Sequence, residues 1–363
     1  MQIAFFGSSL VSAYWNGAAT YYRGIIRALH DRGHHVTFYE PDAWQRQQHR
    51  DIADPEWAQV VVYDNDRDSV LRAVADAAGA DLIVKASGVG VFDDLLEDAV
   101  SDLKTPTNIV IFWDVDAPAT LDRLLHNPGD PFIQLIPRYD AVLTYGGGDP
   151  VTNAYLAFGA RQCVPVYNAL DPRTHFPVPL EPRFAGDLAF LGNRLPDREA
   201  RVEEFFLRPA SRLPEFTFLL GGSGWGDKAR SANVSYLDHV YTADHNALNS
   251  SARVVLNVTR ESMARYGFSP ATRVFEAAGA AACLITDAWE GVGNFFEPGS
   301  EILVASTGDD VADYLRSLTL ANARKIGEAA YRRALAEHTY NNRAEQVDAL
   351  LDMSPLEFAG AAR

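Results

Sequence analysis

The stretch Asp187-Leu188-Ala189-Phe190-Leu191-Gly192-Asn193-Arg194 decides how the chain is divided. It is a short apolar run ending in a glycine loop, the form in which a buried parallel strand hands over to a helix. Just before it, residues 171–184 hold four prolines, Pro172, Pro177, Pro179 and Pro182, and no hydrophobic periodicity. That composition is expected of a linker. The strand at 187–191 therefore restarts a pattern. A chain of 363 residues suits two domains better than one.

The same pattern runs on both sides of the break. Upstream, residues 3–6 are an apolar run ending in Gly7-Ser8-Ser9, and 20–32 carry helical spacing up to Gly33. Further strands are expected at 36–39, 81–85, 108–113, 141–145 and 163–167, with helices at 70–78 and 92–103. Downstream, strands are expected at 216–220, 254–258 and 282–286, with helices at 197–206, 243–250 and 271–279 and a helical tail over 308–353. The expected fold class is α/β, with two doubly wound Rossmann-like domains, 1–170 and 187–335, joined by a linker at 171–186. Ligands of such sheets bind beyond the carboxyl ends of the strands, so two facing domains make a cleft.

Composition excludes several partners. The formal net charge of −16 repels nucleic-acid backbones and anionic lipid, and no run of Lys and Arg offsets it. With four lysines in the chain, Lys85, Lys104, Lys228 and Lys325, an anion site must be built from arginines and backbone N–H groups. Cys163 and Cys283 each sit in apolar sequence, as buried free thiols do. No signal-peptide pattern opens the sequence and no apolar run has membrane-spanning length, so a cytoplasmic protein without membrane insertion is expected.

Several loops carry candidate chemistry. The loop Gly7–Gly17 lacks the Gly-x-Gly-x-x-Gly dinucleotide fingerprint, which argues against NAD. Gly17 would let the backbone approach a ligand, with Tyr14, Trp15 and Asn16 beside it suited to stacking on sugars or bases; an ordinary strand-to-helix loop is the other reading. Asn193, Arg194 and Arg198 flank a helix start where two arginines can clamp a diphosphate, or else pair with surface acids. Gly222-Ser223-Gly224-Trp225-Gly226 is a weak phosphate cradle or a loop lining a base pocket. In Ser269–Ala280, Arg273 and Glu276 share a helix face and need partners, either each other or a ligand. Asp114-Val115-Asp116 ends an apolar run; Asp114 is a candidate base toward an acceptor hydroxyl with Lys85 on a neighbouring strand, while Asp116 can cap the Pro118 helix.

Three segments carry a family resemblance: residues 187–193, residues 273–280 (Arg-Val-Phe-Glu-Ala-Ala-Gly-Ala) and residues 295–303 (Phe-Phe-Glu-Pro-Gly-Ser-Glu-Ile-Leu). With the Gly7 loop and residues 165–176, the chain resembles GT-B glycosyltransferases, specifically the spore-maturation (CgeB-type) and group-1-like branch. The resemblance implies a nucleoside diphosphate sugar as donor, bound by the C-terminal domain, and an unspecified acceptor on the N-terminal one. It implies a last helix, 336–363, that returns to the first domain. It implies a ribose contact at Glu276 and a diphosphate or sugar site drawn from Asn16, Gly17, Asn193, Arg194, Arg198, Gly222, Ser269 and Arg273. The family's second glutamate stands at Phe268 here, and its phosphate lysine is replaced by Arg194, Arg198 or Arg260. Because GT-B transfer needs no bound metal, no metal ligands and no cofactor beyond the donor are expected. A nucleotide-sugar 2-epimerase and an inactive sugar-nucleotide-binding protein share the same architecture.

Overall fold

The computed structural model describes residues 1–14 and 16–351, which form two units. The first comprises residues 1–168 together with the chain from Tyr340 onward; the second is Ala169–Thr339. Each unit is built on one parallel sheet.

The first sheet has seven strands: β1 (Gln2–Phe6), β2 (His35–Pro41), β3 (Gln59–Tyr63), β4 (Leu82–Ala86), β5 (Ile109–Asp114), β6 (Ala141–Thr144) and β7 (Cys163–Pro165). Their order is β3-β2-β1-β4-β5-β6-β7. All of β4 is buried, as is β1 after its first residue, because helices cover both faces of such a sheet. Phe5 stacks on Phe38 at 5.4 Å and tilts against Trp113 at 5.8 Å. Trp113 Nε1 donates to the Tyr21 hydroxyl (3.0 Å), which donates to Val166 O (2.7 Å), so the buried polar tips of both rings are satisfied. Helix Tyr340–Leu351 packs on helix Ala19–Asp31 through Gly24, where a Cβ would stand 2.2 Å from the Tyr340 ring.

The second sheet has six strands: β8 (Leu188–Leu191), β9 (Phe218–Gly221), β10 (Val234–Asp238), β11 (Val255–Asn257), β12 (Leu284–Asp287) and β13 (Leu303–Ala305). The order is β10-β9-β8-β11-β12-β13. The strand order therefore reverses between β8 and β11, and the loops leaving those two strands diverge to open a crevice. Phe190, Phe206, Phe218 and Trp225 form the core beside it. The entering and leaving segments of this unit are tied together: Leu170 N donates to His338 O at 2.7 Å, and Leu170 bridges Thr339.

The structure adds β3, β10 and β13 to the strands expected from sequence. All three are sheet edges. An edge strand buries only part of its surface: Gln59–Tyr63, apolar in sequence, is mostly unburied, Val234–Asp238 mixes polar and apolar positions, and Leu303–Ala305 is only three residues long. Residues 171–186 lie within the second unit and are fastened to it: Val178 N donates to Ser250 Oγ (3.2 Å) and Glu181 N to Ser251 Oγ (2.8 Å). Of the expected helix 336–363, the part beyond 351 lies outside the described residues. Cys163 and Cys283 are free and buried, and burial pushes both thiols up to about 12. Among the described residues no helix is long and apolar enough to cross a membrane.

Two stability predictions follow from the first unit. Gly24→Ala drives a methyl into the Tyr340 ring and is expected to cost about 1–3 kcal/mol, read by calorimetry as a lowered transition for that unit alone. Glu97, 4% exposed on helix Asp93–Ser101, has Arg123 Nη2 only at 3.6 Å. Burial raises its carboxyl from 4.5 to about 7. The folded state thus holds this proton where the unfolded chain has lost it. Its contribution is full below pH 4.5 and is lost as pH rises to 7, by at most about 3 kcal/mol. Urea unfolding across that range should show the decline, and Glu97→Gln should flatten it.

Candidate functional site

The crevice of the second unit starts at Gly192. Gly192 N donates to Gly221 O at 3.0 Å, and its own carbonyl accepts Trp225 Nε1 at 2.7 Å. Gly222 has φ +114°, and a Cβ there would lie 2.3 Å from Gly192 O, so glycine is required for the loops after β8 and β9 to touch. Asn193 joins the same seam, with Oδ1 accepting from Ser223 N at 3.0 Å. Trp225 is fully buried. The seam ties the Gly-Ser-Gly loop to its neighbour, so its backbone N–H groups serve packing here.

Arg194 was expected to clamp a diphosphate. Instead its guanidinium spans Glu199 (2.7 Å), Asp227 (2.9 Å) and Gly224 O (3.3 Å). Its charge is taken up in fastening the loop after β9 to helix Pro196–Val202. Arg198, one turn further along, is free of such partners. Its Nη1 lies 3.0 Å from where a Cβ on Gly192 would stand, and Arg273 Nη2 lies 3.5 Å from that point. Neither arginine makes an ion pair among the described residues, and Arg198 Nε is buried without a hydrogen-bond partner. Burial, then the like charges of Arg273 and Arg260, pull Arg198 down to about 10. Burial lowers Arg273 as well, against the opposing pull of Glu276. The face of the Phe190 ring lies 5.6 Å from the Arg273 guanidinium carbon. Two guanidinium groups without an ion pair among the described residues thus meet at a strand's carboxyl end, where buried charge is costly.

The surrounding charges are already paired. Arg260 donates to Asp197 at 2.6 Å. Asp287, at the end of β12, has no exposed surface; it accepts from Thr259 N (3.0 Å), Thr259 Oγ1 (2.9 Å) and Arg201 Nη2 (2.5 Å). That carboxylate orders the turn after β11 and holds Arg201 off the Arg198–Arg273 pair. Ser269 is buried and donates to Gly267 O at 2.9 Å, so its hydroxyl shapes the turn before helix Thr272–Gly279. Phe268 sits at φ 45° with its ring against Gly291, where a Cβ would be 2.2 Å away.

Glu276 has company that the sequence did not announce. His175 Nε2 lies 3.8 Å from Glu276 Oε1, and one ligand-capable atom from each of His175, His245 and Glu276 lies within 4.8 Å of the other two. Burial lowers His245. Positions 175, 245 and 276 have no metal-ligand spacing, and His175 stood in what read as a linker, so sequence reasoning missed both histidines.

In the first unit both expected catalytic residues, Asp114 and Lys85, are buried and hydrogen-bonded within the protein. Asp114 has no accessible surface; Oδ1 accepts from Ser87 Oγ (2.7 Å), Asp116 N (3.0 Å) and Thr120 Oγ1 (3.1 Å), and Oδ2 accepts from the Tyr155 hydroxyl. A carboxylate held by four donors orders its loop and is poorly placed as a base for an acceptor. Asp116 stands at the N-cap of helix Ala117–His126, but its side chain does not cap it. Lys85 is fully buried, donating to Ala86 O and pairing with Asp93, both at 2.8 Å. Asn16 is consumed inside its own loop, accepting from Ser8 Oγ (2.8 Å) and donating to Ser9 O (2.8 Å) and Ser12 O (3.0 Å). Nothing lies within 4 Å of a Cβ on Gly17, so no close approach demands glycine there. Tyr14 stacks on His49 at 4.0 Å, and Trp15 lies outside the described residues. Unforeseen from sequence, Glu40 is buried and organises this loop through Ser9 Oγ (2.9 Å) and Leu10 N (2.6 Å).

Comparison with known proteins bears on the fold. Residues 198–349 match the model of a family described as glycosyl transferase-like. No curated protein sequence matches the chain. Among solved structures, Anabaena HepE in complex with UDP and glucose superposes with a TM-score of 0.68 at 13% identity, over 97% of this chain and 99% of that one. Sucrose-phosphate synthase from Thermosynechococcus elongatus gives 0.68 at 13% identity, over 97% and 98%. AviGT4, a glycosyltransferase involved in avilamycin A biosynthesis, gives 0.61 at 15%, over 98% of both chains. Two doubly wound parallel sheets, each with its strand-order reversal, and superpositions that run almost end to end establish the fold as GT-B, with a glycosyl transferase-like segment over residues 198–349.

Proposed function

We propose that the protein is a glycosyltransferase that moves a sugar, in the first instance a hexose, from a nucleoside diphosphate sugar to an acceptor, with no metal needed for donor binding. The observation that carries this reading is the pair Arg198 and Arg273, converging on Gly192 without a carboxylate partner. A diphosphate fits them in charge and in its capacity to accept from two guanidinium groups. Glu276, three residues after Arg273 on the same helix, is within reach of the adjoining ribose and can accept from both of its hydroxyls. HepE, the structural relative named above, is recorded with UDP and with UDP-glucose. Those ligands make UDP the first nucleotide to try.

The chemistry then rests on positioning and on charge. As the bond from sugar to diphosphate breaks, negative charge grows on the leaving phosphate oxygen, and the two arginines stabilise it where it forms. Asp114 is saturated by four donors, so the reading takes no base from it. The acceptor hydroxyl forms the new glycosidic bond and gives its proton to the leaving diphosphate, which implies retention of configuration. Nucleotide-sugar epimerisation differs in requiring no acceptor.

Calorimetric titration of UDP, GDP, dTDP and ADP in EDTA tests the donor site. One of them should bind, with affinity falling at least tenfold in Arg198→Ala and in Arg273→Ala, a loss of at least about 1.4 kcal/mol. Arg194→Ala should change the affinity less, because its charge is spent on Glu199 and Asp227. Undiminished binding in both Arg198→Ala and Arg273→Ala sinks the assignment. Product formed from the sugar donor alone would move the activity to epimerisation.

A further inference from the structure

The cluster around Glu276 has an arrangement that binding a ribose does not explain. His175 comes from the segment fastened beneath helix His245–Ser251, His245 opens that helix, and Glu276 lies on helix Thr272–Gly279. One ligand-capable atom of each is within 4.8 Å of the others, and the His175–Glu276 pair is at 3.8 Å. Tetrahedral zinc sites have bonds of about 2.0–2.1 Å, which puts ligand atoms roughly 3.3 Å apart. Closing this cluster on an ion therefore takes a shift of about 1.5 Å at most, within the range of side-chain adjustment.

Each ring has one nitrogen already engaged, which leaves the other for a ligand. Thr174 Oγ1 lies 2.9 Å from His175 Nδ1, leaving Nε2 toward Glu276. Val240 O lies 3.3 Å from His245 Nε2. A carbonyl oxygen only accepts, so Nε2 carries the proton and Nδ1 keeps the lone pair. Holding the far nitrogen in this way, by hydroxyl or backbone carbonyl, is how ligating histidines are oriented. Two imidazoles and one carboxylate suit zinc and its late first-row neighbours, and leave a coordination position open.

We propose that His175, His245 and Glu276 form a binding site for a zinc-class divalent cation, and that this cation and the nucleoside diphosphate exclude each other. The site rests on the cluster alone; the exclusion rests on the ribose role given to Glu276 above. A cation there takes the carboxylate that the ribose hydroxyls would use. It also sets its charge beside Arg273, which shares the helix with Glu276. Excess zinc is thereby an inhibitor of donor binding, while transfer itself runs without metal.

The test uses the full chain, stripped with EDTA and dialysed. Titration with Co2+ should develop visible d–d bands, and Zn2+ should bind at one equivalent by calorimetry. His175→Ala and His245→Ala should each weaken binding at least tenfold. His175→Asn and His245→Gln serve as second variants, should an alanine protein fail to give the unfolding transition of the parent in EDTA. Saturating zinc should then raise the apparent Kd for UDP at least tenfold in the parent protein and leave it unchanged in His245→Gln. Absent stoichiometric binding, or binding equally tight in the histidine variants, overturns the site. Bound zinc with unchanged UDP affinity overturns the exclusion. Failure of UDP to bind in EDTA, with histidine-dependent metal binding intact, removes the donor assignment and the exclusion together and leaves the metal site standing.

Discussion

The second unit turns on a carbonyl and a missing side chain at one residue. Gly192 O takes the indole N–H of buried Trp225, and no Cβ on Gly192 or Gly222 keeps the two loops apart. The same bare Cα leaves room for two guanidinium groups to approach from helix Pro196–Val202 and helix Thr272–Gly279. A side chain at position 192 would crowd Arg198 Nη1 and the Phe190 ring, each 3.0 Å from its Cβ, so both would have to give by a few tenths of an ångström. The geometry of the anion site is therefore set by the packing of β8 against β9, one step before any charge is considered.

Charge placement follows from that packing. The protein carries a formal charge of −16, and nearly every arginine near the crevice has found an acid: Arg194 has Glu199 and Asp227, Arg201 has Asp287, Arg260 has Asp197. In so acidic a chain a cation without a carboxylate partner is the exception. Among the described residues Arg198 and Arg273 lack one, as does buried Arg46, whose guanidinium donates instead to Ser8 O and Val89 O; burial lowers all three. The cost of leaving Arg198 and Arg273 unpaired is what sets them apart from Arg194, whose charge is shared between Glu199 and Asp227.

Much of the fold was legible because parallel strands buried on both faces must be continuous apolar runs, and their helices must show a 3.6-residue period. Residues 3–6, 187–191 and 282–286 announce themselves in that way. The edge β7 was expected as well, whereas Val234–Asp238 alternates toward solvent and Leu303–Ala305 is only three residues long, so neither gave a clear apolar run. At the candidate site, residue type and loop position named Arg198, Arg273 and Glu276 among other candidates. They were not enough to separate these from Arg194, Asn16, Lys85 or Asp114. Those four lie at a strand end or in the loop that follows one, and the structure distinguishes them by their partners: an acid pair, a loop carbonyl, Asp93 and four hydroxyl or amide donors.

The sequence by itself determined the two α/β halves, the acidic surface and the reliance on arginine for any anion site. Those are properties of local periodicity and composition, and they do not depend on which residues meet. Tertiary structure alone decided which polar groups are spent and which are free. It seated Asp114 beneath Ser87, Thr120 and Tyr155, and it brought His175 and His245 to Glu276 across 101 and 31 positions of chain. Contacts of that kind arise when strands order as β10-β9-β8-β11-β12-β13 and carry distant loops to one edge of the sheet. No spacing within the chain encodes them, because the strand crossovers that create them are set by the burial of the whole sheet.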